Sequence, residues 1–343
     1  GRPFGGLGPL RCAPPMTERT GQAKAVVLGA TSRGLALASA MAARFGPIMV
    51  WEPDPDKGRP ARGTRGVSAV TADLGATVRD AAIVACAIPR RDLASALEAA
   101  AGHLAHGAIV IVATLGHEAA HATAQRVLPA HVSVACFTTF PPPGTVRSGR
   151  DLRSPEPVAT AAAAGISPAV GAHPDAIGVV QAIVEATGTV PFFAEAREID
   201  GFAAATIALP AVLGAAAIRA TISPRTSRDL DRAGGGPLAT LTEVVDGESA
   251  DVPNSDDLKA LREPIARLLR VMASDLQHVA SQLDGEAGGA GEADERAEGA
   301  SVDPAGIGPA AERRRTWLAA RATPADAPII EDLPRPKRRR HFF

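Results

Sequence analysis

The stretch Lys24–Glu52, KAVVLGATSRGLALASAMAARFGPIMVWE, restricts what this chain can fold into more than any other. Ala25-Val26-Val27-Leu28 is an unbroken apolar run, the pattern of a strand buried on both faces of a parallel sheet. Gly29-Ala30-Thr31-Ser32-Arg33-Gly34 follows at once, and Leu35 to Phe45 is rich in Ala, Leu and Met, which favour helix. A helix starting there aims the N–H groups of its first turn over Gly29, where they suit a pyrophosphate. A second apolar run, Ile48 to Trp51, ends in Glu52. That carboxylate lies roughly 20 residues past the first glycine, where a dinucleotide-binding βαβ unit places the acid that hydrogen-bonds the adenosine ribose 2′-OH.

The turn departs from G-x-G-x-x-G at its middle position, which is Thr31. A threonine narrows the approach of backbone to pyrophosphate, although its hydroxyl offers a phosphate oxygen a hydrogen bond. Glu52 binds a free 2′-OH and repels a 2′-phosphate, so NAD is favoured, while Lys57, Arg59 and Arg62 downstream leave NADP open. The cofactor-binding candidates are Gly29, Ala30, Thr31, Ser32, Arg33, Gly34 and Glu52. To these the run Ala82–Pro89 adds Ile88 and Pro89, at the carboxyl end of a further buried strand.

Strand-like runs at Ala108–Ala113 and Val132–Phe137 alternate with helical stretches at Arg91–Leu104 and Glu118–Val127. This alternation predicts a doubly wound parallel sheet, a Rossmann domain over residues 23–143. Pro53 to Gly66 reads as a charged loop and Gly144 to Pro174 as a weakly patterned bridge, within a segment 144–197 that closes the α/β domain. From 198 to 322 the chain reads as helical, with pieces at Asp200–Ala220, Ser227–Val244, Ser255–Leu283 and Ala310–Arg321 and a flexible Gly/Ala/Glu-rich loop at 285–308. Residues 1–22 and 323–343 read as tails, the first disordered and the second ending in the basic run Lys337 to Arg340.

A length of 343 residues accommodates two domains, and a net charge of −1 supplies no global attraction for nucleic acid or an anionic membrane surface. The three cysteines, Cys12, Cys86 and Cys136, are too scattered for a disulfide framework or a metal site, and no metal is expected. Phe202 to Ile218 is the most apolar run, but it is alanine-dominated and interrupted by Pro210, which suits a helix buried in protein better than one in lipid. The stretch Phe202–Ala220 is more apolar than a helix packed on one side needs, and this predicts a homodimer.

Taken in order, these pieces resemble the prephenate/arogenate dehydrogenase family, over about Ala23 to Arg321. Trp51-Glu52-Pro53-Asp54-Pro55 is similar to the family's Tyr-Asp-Arg-Asn-Pro strand end, Ala82–Pro89 to its A-D-hydrophobic-run-P strand, and Ala108–Thr114 to its strand ending at a hydroxyl. Glu198-Ile199-Asp200-Gly201 resembles E-H-D-G, Ala205–Pro210 resembles A-T-H-L-L-P, and Arg315-Thr316-Trp317-Leu318 resembles R-x-W-L. The resemblance implies a Rossmann domain followed by an all-α dimerisation domain in a cytoplasmic enzyme of tyrosine biosynthesis. It also implies NAD(P)-dependent oxidative decarboxylation of a small acid: hydride passes to the nicotinamide, a histidine takes the hydroxyl proton, and an arginine holds the substrate carboxylate.

Several of those groups are missing. The family's G-x-H-P histidine falls in Phe137-Thr138-Thr139-Phe140-Pro141, where no histidine stands; Ile199 and Ile207 replace two others, and Leu241-Thr242-Glu243 lies where a substrate arginine is common. The catalytic candidates left at the sheet's carboxyl end are Thr114, Thr139 and His117, the last sharing a helical face with His121. The remaining histidines show no converging partners. Two functions follow: an NAD(P)-dependent oxidoreductase with a rearranged base or a different small acid, or a nucleotide-binding homodimer that has lost catalysis and acts as a sensor. A reductase of the imine-reducing or deazaflavin-linked type shares the same opening motif.

Overall fold

The computed structural model describes residues 23–140, 163–221, 253–288 and 307–322, together with positions 238, 241 and 245. The expectations for both tails, for 289–306 and for most of Ser227–Val244 fall outside these residues. One sheet holds β1 Ala25–Leu28, β2 Ile48–Trp51, β3 Val67–Thr71, β4 Ile83–Cys86, β5 Ile109–Ala113, β6 Ser133–Phe140, β7 Ala163–Pro168 and β8 Val190–Phe193, in the order β3-β2-β1-β4-β5-β6-β7-β8. The first six are parallel, as the alternation predicted; β7 runs antiparallel to β6, and β8 parallel to β7. The chain leaves β1 first toward β2 and β3 and later, on the other side, toward β4. The strand order therefore reverses at β1/β4, the place in such sheets where a crevice opens beyond the carboxyl ends.

Both faces are covered. Helices α1 Ser32–Phe45 and α6 Pro174–Ala186 lie on one face, whose core includes Val27, Leu37, Met41, Ile111, Phe137 and Val180. Helices α4 Arg90–Ala101 and α5 His117–Val127 cover the other, with Val26, Leu28, Val84, Leu97 and Cys136. The strands alternate between the two cores, and each fully buried Leu or Ile contributes about 1.5–3 kcal/mol. Cys86 and Cys136 are buried thiols, and burial pushes the Cys86 pKa up to about 12.

The sequence reading needs correction at several elements. The charged loop expected at Pro53–Gly66 contains helix α2, Pro55–Ala61, because Asp54 accepts the N–H groups of Asp56 and Lys57 as an N-cap and Pro55 takes the first helical position. The short helix α3, Leu74–Val78, is started in the same way by Asp73 and agrees with the sequence, in which Val67–Val70 and Asp73–Asp80 read as a short strand and helix. The bridge expected over Gly144–Pro174 contains β7, whose backbone pairs with β6 and β8.

The helix expected from Asp200 begins earlier and runs as α7 Ala196–Ala203, a π-turn Ala204–Ala208 and α8 Leu209–Thr221. Pro210 lacks an N–H and crowds the carbonyl one turn back, and the π-turn lies just ahead of it. The helix expected at Ser255–Leu283 is two, α9 Ser255–Ala260 and α10 Arg262–Gly288, broken at Leu261 with Pro264 following. Helix α11, Ile307–Ala322, is the last described element. The chain forms two compact units that divide between Leu269 and Arg270, so α7, α8 and α9 cluster with the sheet although the helical pattern begins near 198.

Candidate active site

The β1–α1 turn is built by close backbone contact. Gly29 has φ +98°, and a Cβ there would lie 2.5 Å from the Ala87 carbonyl oxygen at the end of β4; a Cβ on Gly34 would lie 2.1 Å from the Gly29 carbonyl oxygen. Thr31 is turned inward. Its hydroxyl donates to Ala87 O at 3.0 Å and accepts the Gly34 N–H at 3.1 Å, so it caps α1 and takes up one donor of the first turn. Glu52 reaches back to the same turn, one carboxylate oxygen accepting Ala30 N–H at 3.0 Å and the other Asp54 N–H at 3.2 Å. Each oxygen keeps acceptor capacity for a ribose hydroxyl. Ile88 packs against Gly29, its Cγ2 lying 2.9 Å from the position of an added Cβ, and exposed Pro89 lies beyond the end of β4 as the N-cap residue of α4. Cradle, helix terminus and acid fit an adenine dinucleotide. Of the basic groups downstream, Lys57 pairs with Asp54 and Arg59 with Asp56, both on the exposed surface of α2.

The ends of β5 and β6 carry a second polar cluster. Arg90, at the start of α4, donates from Nη2 to Thr114 Oγ1 at 3.1 Å, to Gly116 O at 2.8 Å and to Leu115 O. Its Nε lies 4.0 Å from Asp257 Oδ1 and makes no hydrogen bond among the described residues. Burial lowers the Arg90 pKa and raises that of Asp257, with the mutual attraction acting the other way.

Gly116, at φ +75°, turns the chain into α5 without a side-chain cap of its own. The cap comes from α7: Asp200 accepts His117 N–H at 2.6 Å and Glu118 N–H at 3.1 Å. Burial raises the Asp200 pKa, and those two backbone donors pull it back down. Asp200→Ala leaves both donors without this acceptor, the His117 one buried and the Glu118 one partly so, and is expected to cost about 2–3 kcal/mol, read as a fall in the urea midpoint. A midpoint unchanged from wild type would show that the cap contributes nothing.

Of the three catalytic candidates, two belong to this cluster. Thr114 is buried between Arg90 and its own chain, its hydroxyl donating to Leu115 O at 3.0 Å. His117 is fully buried, with Nδ1 2.7 Å from Ser167 Oγ and Nε2 2.9 Å from Thr138 Oγ1. Its pKa falls to about 3, first by desolvation and then by the neighbouring His121 and Arg90. Thr139 takes no part: alternation along β6 turns it to the opposite face from Thr138, and it sits across from Ala164 of β7.

Sequence reasoning missed Arg90 and Ser167, and placed Thr138 only at the carboxyl end of its strand, on the side where a ligand would bind. Arg90 was legible as the residue directly after a proline-terminated strand; Ser167 carried no signal. His106 and His131, thought to lack partners, stack with ring centroids 4.7 Å apart just before β5 and β6, at the other end of those strands.

No protein-family model matches the chain, and no curated protein does. Solved structures do. The chain is similar to the prephenate dehydrogenase of Aquifex aeolicus in complex with hydroxyphenyl propionate and NAD+, at 14% identity and TM-score 0.66, covering 87% of this chain and 98% of that one. It is similar to a putative prephenate dehydrogenase of Corynebacterium glutamicum, at 15% identity and TM-score 0.64, over 89% and 90% of the two chains. The Synechocystis arogenate dehydrogenase matches at 14% identity and TM-score 0.58, over 87% and 98%. At such identities the likeness is one of fold, and it extends over sheet and helices together.

Proposed function

We propose that the protein is an NAD(P)-dependent oxidoreductase acting on a small acid of the prephenate or arogenate kind, with NAD preferred. The observation that carries this reading is the Glu52 carboxylate bonded to Ala30 N–H above the Gly29 cradle, at the point where the strand order reverses. The fold shared with prephenate and arogenate dehydrogenases supports the substrate class. A bound nicotinamide would exchange hydride with the substrate, while Gly29, Gly34 and the start of α1 hold the diphosphate and Glu52 the ribose.

The reading is tested by titrating the protein with NAD and NADP, then following reduced-nicotinamide absorbance with prephenate and with arogenate. Glu52→Ala is expected to weaken NAD about 10- to 100-fold, which is about 1.4–2.8 kcal/mol, and NADP much less. Equal losses for both cofactors would remove the assigned ribose contact.

A second reading, a nucleotide-binding sensor without catalysis, is favoured by one feature: Leu115, Phe140 and Ile199 form an apolar cluster with Phe140 inside the segment that aligns with G-x-H-P. NAD binding without turnover of either acid would select it.

The homodimer belongs to both readings. Ala196–Thr221 is long and apolar enough by composition to cross a membrane, and Phe202 on it is 49% exposed. We assign that surface to a second copy of the chain in a cytoplasmic protein, with neither nucleic acid nor membrane as partner. Sedimentation giving a monomer at micromolar concentration would exclude it.

A further inference from the structure

We infer that Thr138, His117, Ser167 and His121 form a proton relay that serves the hydride-transfer site in place of the absent motif histidine, with Thr138 facing the substrate oxygen and His121 nearest solvent. The inference rests on the oxidoreductase reading above. Three elements converge to build the chain: β6 supplies Thr138, α5 supplies both imidazoles from one face, and β7 places Ser167 between them. His117 Nε2 lies 2.9 Å from Thr138 Oγ1, His117 Nδ1 2.7 Å from Ser167 Oγ, and His121 Nε2 2.9 Å from the same Ser167 Oγ. Thr138 in turn donates to the carbonyl oxygen of Thr114, at the end of β5. All four side chains belong to buried residues; His121, at 9%, is the most exposed and Thr138, at 5%, the next.

The polarity of the chain follows from donor counting. Thr138 has one hydroxyl proton and gives it to Thr114 O, so toward His117 it accepts, and His117 carries its proton on Nε2. A neutral ring then has Nδ1 bare, so Ser167 donates to it. With its proton spent, Ser167 accepts from His121 Nε2–H. His121 Nδ1 is left as an acceptor facing Cys136 Sγ at 3.9 Å. Burial keeps both rings neutral, which this counting requires. Every proton points from His121 toward Thr138.

This is the arrangement the chain holds after taking up a proton in oxidation, or before giving one in reduction. In oxidation the substrate O–H bond breaks and its proton passes to Thr138 Oγ1, while the electron pair of that bond forms the new carbonyl as hydride leaves the carbon. Thr138 gives its own proton to His117 Nε2, His117 Nδ1–H gives to Ser167, Ser167 gives to His121 Nε2, and the proton on His121 Nδ1 leaves to solvent. One proton enters and one leaves; reduction runs the same moves backward. Two hydroxyls and two imidazoles thereby do what a single exposed imidazole would do, from behind a buried wall.

Two measurements test the relay. In nitrogen-15-labelled wild-type protein near pH 7, both rings should show Nε2 protonated and Nδ1 bare, and Ser167→Ala should mix the tautomers of His117. In the reduced-nicotinamide assay with prephenate or arogenate, Ser167→Ala and Thr138→Val should each lower kcat about 100-fold with KM for NAD little changed, while Thr138→Ser keeps most of the rate. The wild-type solvent deuterium effect should involve more than one proton and lose that character in Ser167→Ala. A charged or Nδ1-protonated ring, or a Ser167→Ala variant with wild-type kcat and isotope effect, overturns the relay alone. Failure of the wild type to oxidise either acid overturns the oxidoreductase reading and the relay with it.

Discussion

Gly34→Ala is expected to cost about 3 kcal/mol of folding stability and to abolish measurable dinucleotide binding. The added Cβ would sit 2.1 Å from the Gly29 carbonyl oxygen, which is backbone and has no rotamer by which to yield. Helix α1 would have to retreat from β1 by about 1 Å, against a core already packed through Leu37, Ala38 and Met41. Gly29→Ala meets two penalties at once: a Cβ 2.5 Å from Ala87 O and a side chain held at φ +98°, together again about 3 kcal/mol. Gly102→Ala is the control. It has ordinary φ and nothing within 4 Å of an added Cβ, so it should leave stability within about 1 kcal/mol of wild type. Urea midpoints with a parallel NAD titration read all three. If Gly34→Ala binds NAD as wild type does, the close helix–strand contact is not what shapes the diphosphate cradle.

The sheet was legible because β1, β4 and β5 lie in continuous apolar runs that stop at a change of residue type: Ala25–Leu28 before Gly29, Ala82–Ile88 before Pro89, Ala108–Ala113 before Thr114. Strand β7 was not, since Ala163-Ala164-Gly165-Ile166-Ser167-Pro168 has little β-branched content and owes its conformation to pairing with β6 on one side and β8 on the other. Gly165 is needed there because Phe192 and Ile199 press to within 3.0–3.2 Å of where its Cβ would be. The dinucleotide half of the site could be read by the same logic of local order, with turn, helix and acid spaced along one βαβ unit. The polar half could not. Arg90 finds its partners 24 to 26 residues away, His117 meets Ser167 across 50, and Asp200 caps α5 across 83. Such partners are chosen by topology, and no window along the chain contains both ends.

Acidification is expected to unfold this protein through its buried imidazoles. His117 is 0% exposed and its folded pKa lies near 3, against about 6.5 for the unfolded chain. A depressed folded value means that the unfolded state takes up a proton which the native state refuses. Stability is therefore intact above about pH 6.5 and falls by about 1.4 kcal/mol per unit as pH drops toward 3, a total of about 4–5 kcal/mol for this ring. His121 is shifted in the same direction by the same burial and adds to the loss. Asp200 and Asp257 act in the opposite sense: burial raises their folded pKa above 3.8, so in the window just above that value the native state binds protons more readily and regains part of the loss. Between pH 6.5 and 5 the histidines dominate. Urea melts at pH 8, 7, 6 and 5 should show no change over the first interval and a steepening fall over the last two. His117→Gln, which keeps a donor and an acceptor without a titrating ring, should start less stable but lose about one proton's worth of that slope. A wild-type unfolding free energy that is flat from pH 8 to pH 5 would place the two rings in solvent, and the buried hydrogen-bond chain could not then exist as described.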